Sequence, residues 1–151
     1  MEKEYMFSYE HYDSPEALPA GDRELADAAR AACAQAYTPY SNFKVGAAAR
    51  LASGATITAG NQESEVLPAG ICAERNLLTT WQSQYSEDPI TAIAIASVPG
   101  QNECYPCGIC RQVLCDTEKR QGSPIRIIMA SDTSASVVSS SAHLMPFTFK
   151  L

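Results

Sequence analysis

Ile90-Thr91-Ala92-Ile93-Ala94-Ile95-Ala96-Ser97-Val98 is the stretch on which the fold turns. A near-continuous apolar run of this kind reads as a strand in the middle of a sheet covered on both faces, because a half-exposed strand would alternate apolar with polar residues. Downstream, a helix is expected from Cys107 to about Lys119, and Ile125 to Ala130 reads as a second buried strand. Two buried strands joined by a helix imply a parallel pair with a right-handed crossover. Upstream, Cys72 to about Gln84 keeps Leu77, Leu78 and Trp81 on one helical stripe, and Asp88-Pro89 closes the connection into the central run.

Further out, Lys44 to Leu51 is β-like, Ser53-Gly54 is a turn signal and Ala55 to Ala59 alternates, which together predict a hairpin. From Asp22 to about Tyr37, Leu25, Ala28, Ala29, Ala32, Cys33 and Ala36 recur at helical spacing, and Thr38-Pro39 ends the helix. Ser136 to Ser140 allows a short strand, and the alternation of Tyr5, Phe7 and Tyr9 permits an edge strand near the start. The order predicts an α/β fold of three layers, α/β/α, around a central mixed sheet of about five strands. At 151 residues one compact domain is expected, with 1–20 as an N-terminal extension and 21–151 as the domain proper.

Composition narrows the function. The formal charge of -6 provides no basic field for a phosphate backbone, so a small molecule is the expected partner and nucleic acid is not. No apolar run approaches the roughly 20 residues of a membrane helix, and Met1-Glu2-Lys3-Glu4 lacks the order of a secretory signal, so cytoplasmic residence is expected. Six cysteines in a reducing compartment point to metal binding and away from a disulfide framework. His11 and His143 lie far from the cysteine clusters and read as surface or tail residues without chemistry, while Cys33 and Cys115 read as core.

Two segments carry chemistry: Ile71-Cys72-Ala73-Glu74-Arg75 and Pro106-Cys107-Gly108-Ile109-Cys110-Arg111-Gln112. Each opens a helix. Cys107 and Cys110 share one side of a first turn and can clamp a single ion, and Cys72 would add a third sulfur. Three protein ligands leave tetrahedral zinc an open position for water, whose pKa falls from about 15.7 to between about 7 and 9. Thiolates would hold that pKa up, so helix N-termini and the guanidinium groups of Arg75 or Arg111 are the expected compensation, with Pro106 stiffening the turn and Gln112 in a supporting place. Residues two apart inside a helix face nearly opposite ways, so Glu74 can share the site only if Cys72 sits at the helix N-terminus. The set resembles that of the zinc deaminases, and the resemblance implies that the hydroxide attacks C4 of a cytosine ring, with Glu74 carrying protons to N3 and to the departing amino group.

At these residues the chain resembles the small homo-oligomeric cytidine deaminases from about Asp22 to the C-terminus. Ala36-Tyr37-Thr38-Pro39-Tyr40-Ser41-Asn42-Phe43-Lys44-Val45-Gly46-Ala47-Ala48 is similar to the family segment before its first hairpin. The resemblance implies one zinc per chain, a nucleoside pocket touched by Phe43 and Ala73, and ribose hydroxyls gripped by Asn61 and Glu63. It also implies a homodimer or homotetramer, and a role in pyrimidine salvage. The tail Leu144-Met145-Pro146-Phe147-Thr148-Phe149 resembles one that closes over a pocket in relatives. Without the resemblance, Asn61 and Glu63 read as turn residues and Phe43 as core.

Ser64-Glu65-Val66-Leu67-Pro68 departs from the family pattern of Asn-Ala-Ser-Tyr-Gly, which puts the exact substrate in question. Cytidine or deoxycytidine is the expected substrate; the nearest alternative is a blasticidin-S-type or modified cytosine nucleoside. An alternative of another class is a non-catalytic, zinc-stabilised binding module in which Cys104 supplies a fourth thiolate and closes the site. Cys107 and Cys110 alone would suit either class, and Cys72-Ala73-Glu74 favours the enzyme.

Overall fold

A computed structural model describes all residues from Met1 to Leu151. In chain order the elements are β1 (Glu10–Tyr12), α1 (Ala20–Ala32), β2 (Lys44–Leu51), β3 (Thr56–Gly60), α2 (Ala73–Gln84), β4 (Ile90–Val98), α3 (Gly108–Gln121), β5 (Arg126–Ala130) and β6 (Ala135–Val138). One six-stranded sheet has the order β1-β6-β5-β4-β2-β3. β4 and β5 run parallel, in register Ile93 to Ile127, and the other pairings are antiparallel.

The isoleucine and alanine alternation of β4 decides what covers each face, since successive side chains point to opposite sides of a sheet. Ile93 and Ile95 join Leu77, Leu78 and Trp81 of α2 and Leu114 of α3 in one core. Ala92, Ala94 and Ala96 join Leu25, Ala26 and Ala29 of α1 in a second core on the other face. Small residues there let α1 approach closely: a Cβ added at Gly46 of β2 would lie 2.0 Å from the carbonyl oxygen of Ala29. α3 ends on Gly122 at φ 73°, a left-handed cap that glycine adopts without steric cost.

The sheet has one strand more than expected. Tyr5, Phe7 and Tyr9 do not form the edge; β1 lies just beyond them and pairs His11 with Ser136 of β6. The three aromatics instead meet in tilted pairs, Tyr5 with Phe7 and Phe7 with Tyr9, and Phe7 stacks on His143 with 5.7 Å between ring centroids. Arg126 ties this edge to the body, with Nη1 2.8 Å from Glu10 Oε1 and Nη2 2.7 Å from Asp22 Oδ2. α1 also stops earlier than its periodicity predicts, tightening into a 3-10 turn over Cys33–Gln35.

Candidate active site and metal centre

Cys72 is the N-cap of α2 and Cys107 the N-cap of α3, both in extended backbone conformation, and Cys110 sits buried in the first turn of α3. Glu74, the second residue of α2, is therefore free to share Cys72's side of the helix end. The Cys72 and Cys107 sulfurs lie 3.7 Å apart and those of Cys107 and Cys110 3.5 Å apart. That is too far for an S–S bond of about 2.05 Å. Tetrahedral zinc with Zn–S bonds of about 2.3 Å separates its sulfurs by about 3.8 Å, so the donor set and its spacing fit that ion.

The sulfurs already behave as an anion centre. Hydrogen bonds from the Cys110 thiol, then Cys107 and Arg75, outweigh burial and draw the Cys72 thiol down to about 5. Cys110 is driven far up, first by its bond to the Cys72 thiolate and then by burial. One anion and its thiol donors thus share a cluster that a divalent cation can hold as three anions. Glu74 is 3% exposed, and burial, helped by the Cys72 charge, raises its carboxyl to about 7.

Of the guanidinium groups, Arg75 faces the sulfurs: burial opposes its charge, but Cys72 and Cys110 raise its pKa. Its Nη2 also donates to the Gly70 carbonyl at 3.4 Å. Arg111 is used otherwise than expected: its Nε donates to the Pro106 carbonyl at 2.8 Å and its Nη1 to Leu144 O at 3.1 Å. Gln112 holds the backbone of Phe149 from both sides, donating at 3.2 Å and accepting at 3.2 Å. Both residues secure the C-terminal segment to α3.

Cys104 stands outside the sulfur cluster, which comprises Cys72, Cys107 and Cys110 within 4.8 Å of one another. It packs against the core, and burial pushes its thiol up to about 12, with the Glu74 charge acting in the same direction.

The loop between β3 and α2 is pinned so that it faces the same place. Tyr37 N–H donates to Asn61 O and Glu63 N–H to Tyr37 O, both at 2.9 Å, and Gln62 bridges Tyr37 and Ile71. A cavity of ≈ 400 Å³ results, lined by Phe43, Asn61, Glu63, Cys72, Ala73 and Glu74 among others. Asn61 accepts from Val45 N–H at 2.8 Å and donates to Phe43 O at 3.0 Å. Glu63 Oε1 accepts from Tyr40 N–H at 3.0 Å and Ser41 N–H at 3.1 Å, and the Ser41 hydroxyl contributes most to its lowered pKa. Both residues thus brace the Phe43 segment.

Ser41 and Tyr105 line the cavity as well and escaped the sequence reading. For Tyr105 the available signal was its place between Cys104 and Pro106, one residue from the start of a ligand-bearing turn. A larger open groove of ≈ 960 Å³ between α3 and the C-terminal segment contains Cys115 and Phe149 but none of the clustered sulfurs.

A three-layer α/β/α sheet fold with a zinc-fitting thiol cluster at two helix starts, next to a buried glutamate, defines the class of the zinc-dependent deaminase domains. The chain belongs to the family described as the cytidine and deoxycytidylate deaminase zinc-binding region, which matches residues 20–121. Zinc is accordingly the ion of the Cys72, Cys107 and Cys110 cluster. Among curated relatives, a cytidine deaminase of Halalkalibacterium halodurans is 40% identical over 82 residues, 54% of this chain and 60% of that protein. One from Mycobacterium tuberculosis is 39% identical over 84 residues, 55% of this chain and 61% of that protein. The match thus spans less than two thirds of these relatives' length. The crystal structure of cytidine deaminase from Burkholderia pseudomallei has a TM-score of 0.70 at 32% identity, over 83% of this chain and 97% of that one. That from Mycobacterium tuberculosis has a TM-score of 0.67 at 30% identity, over 85% and 96%.

Proposed function

We propose that the chain hydrolyses the amino group of a cytosine nucleoside, cytidine or deoxycytidine, taking up water and releasing ammonia with uridine or deoxyuridine. The observation that carries this is the burial of Glu74 in the same cavity as the Cys72 and Cys107 sulfurs. Cys72, Cys107 and Cys110 hold zinc, which when bound acts as a Lewis acid and brings water toward ionisation near neutral pH. Glu74 takes one proton of the attacking water and delivers it to ring N3, then takes the second from the hydroxyl now on C4 and passes it to the C4 amino group, so that the C4–N bond breaks, ammonia leaves and the C4 carbonyl forms. A carboxyl raised to about 7 suits both halves of that task, because it gains and loses a proton readily near neutrality.

Phe43 and Ala73 form walls for the base, and the ribose falls to Asn61 and Glu63. Both backbone bonds to Glu63 fall on Oε1, and a carboxylate has acceptor capacity beyond these for a sugar hydroxyl. Arg75 supplies the positive charge beside the thiolates, Arg111 holds the Pro106 turn that leads into Cys107, and Gln112 secures the C-terminal segment to α3. The family resemblance supports a role in cytoplasmic pyrimidine salvage as a homodimer or homotetramer. Exclusion of Cys104 from the cluster favours this reading over the binding module.

A second substrate reading has its own support: Leu67, 79% exposed, lines the cavity and offers an apolar contact to a modified or larger cytosine nucleoside such as blasticidin S. An absorbance screen of the zinc-loaded protein against cytidine, deoxycytidine, cytosine, 5-substituted cytidines and blasticidin S tests both. Turnover with ammonia release on cytidine or deoxycytidine supports the main reading; turnover confined to the larger compounds supports the second, and no turnover on any of them rejects the enzyme.

A further inference from the structure

The loop between β4 and α3 holds a carboxylate that has no part in the reaction above. The Glu103 side chain is only 6% exposed, and a carboxylate buried to that degree is costly unless bonded. Ser134 Oγ donates to its Oε1 at 2.7 Å, Tyr105 Oη donates to its Oε2 at 2.9 Å, and His11 Nδ1 lies 3.6 Å from Oε1. Two of these partners belong to different parts of the molecule. His11 is in β1, where Nδ1 also meets Ser136 Oγ of β6 at 3.1 Å, whereas Tyr105 lines the cavity that contains Cys72 and Glu74.

The Tyr105 side chain is held weakly except at this point. The residue is 56% exposed, and its side-chain hydrogen bond is the one to Glu103. An exposed ring samples several rotamers unless something fixes it, so Glu103 determines where the ring stands. Behind Tyr105 is a second cavity of ≈ 340 Å³, whose walls include Phe7, Tyr9 and His11 and which also contacts Met129 and Val138. The segment 5–12 that forms those walls lies outside the family match at 20–121. It is fastened independently, by the donation of Tyr5 Oη to Ala142 O at 2.5 Å, by the Phe7 and His143 stack, and by the β1–β6 pairing. Tyr105 is therefore a partition with the deaminase cavity in front and the N-terminal arm behind.

We propose that residues 5–12 are a specificity element: through His11 and Glu103 they fix the Tyr105 ring as a wall of the cavity and so set the fit of the nucleoside. This rests on the deaminase reading. Tyr105 is the specificity-determining residue, and His11 and Glu103 are positioning residues that act through it.

The test compares Tyr105→Phe, Glu103→Gln, His11→Ala and the Tyr105→Phe/Glu103→Gln double variant with the parent, all zinc-loaded full-length chains. KM and kcat for cytidine and deoxycytidine are read alongside calorimetric affinity for uridine, zinc content and thermal melts. Tyr105→Phe leaves an exposed ring in place, so it stays informative if Glu103→Gln folds poorly. The expected result is a KM rise of about three- to tenfold in the first two variants, with kcat falling less than about twofold and zinc content unchanged. The double variant is expected to match the larger single effect, because the two residues act as one unit. KM and uridine affinity equal to the parent's in Tyr105→Phe, a loss confined to kcat, or multiplying effects in the double variant overturn the proposal while an active parent leaves the deaminase reading standing. A parent that neither binds nor turns over a cytosine nucleoside overturns both.

Discussion

Gln62 and Ile71 exchange a pair of backbone hydrogen bonds, each N–H donating to the other's carbonyl at 2.9 Å. This bridge ends one residue before Cys72, so the loop with Asn61 and Glu63 is clamped to the end of α2 that carries a zinc ligand. The Gln62 side chain strengthens the clamp by donating to Gln35 O at 2.8 Å and Gly60 O at 3.3 Å. Gln62→Ala is expected to cost about 1 kcal/mol, lower the melting temperature by about 2–4 °C and raise KM, with zinc retained. Thermal melts and steady-state kinetics check it; an unchanged KM would show that the loop keeps its place without this side chain.

Glu74→Gln preserves shape and removes the proton carrier. The expected outcome is a kcat reduced by about 10²- to 10⁴-fold with a full complement of zinc, because the carboxylate is not a ligand. Metal analysis beside the kinetics separates this from loss of the ion.

Cysteine substitutions divide along the geometry of the cluster. Cys107→Ser and Cys110→Ser are expected to lose most zinc and all measurable turnover, while Cys104→Ser keeps one ion per chain. Treating the parent with a chelator is expected to lower its melting temperature, since an ion bound only by the folded state stabilises that state. Zinc loss in Cys104→Ser equal to that in Cys107→Ser would contradict the placement of Cys104 outside the centre.

The Glu10 and Arg126 pair predicts a dependence of stability on acid. Hydrogen bonding to Arg126, then the Tyr12 hydroxyl, holds the Glu10 carboxyl at about 2 against an ordinary value of 4.5. The folded state therefore binds fewer protons than the unfolded chain between those values, so the contribution is complete above pH 4.5 and disappears as pH falls toward 2. Glu10→Gln is expected to be the less stable protein at neutral pH, with the difference closing on acidification. Melts across a pH series check this, and a gap that persists at pH 2 would rule it out.

What could be read in advance depended on whether a residue's role was local. The near-continuous apolar run of β4 foretold both covered faces, and the demand that Cys72 and Glu74 share a site placed Cys72 at a helix start, where it is the N-cap. β1 was misplaced by a few residues because a three-residue strand is defined by its partner β6 and not by its own pattern. Arg75 and Arg111 were alternatives for the charge beside the thiolates, and sequence alone did not choose between them, because the donors of Arg111 are taken by Pro106 O and Leu144 O, the latter 33 positions away. Glu103 gave no signal of its own, since its burial depends on His11 and Ser134, which are remote in sequence.

The two faces of β4 differ in how much change they tolerate. Against α2 and α3, isoleucine, leucine and tryptophan can exchange volume among themselves, and the zinc site lies on that side. Against α1 the alanines of β4 pack on Leu25, Ala26 and Ala29, with the Gly46 backbone almost touching Ala29, so one methyl added at Gly46 has no space to occupy. Variation that alters the chemistry is thus channelled to the isoleucine side, and the alanine side serves as the fixed reference plane from which the reactive groups are positioned.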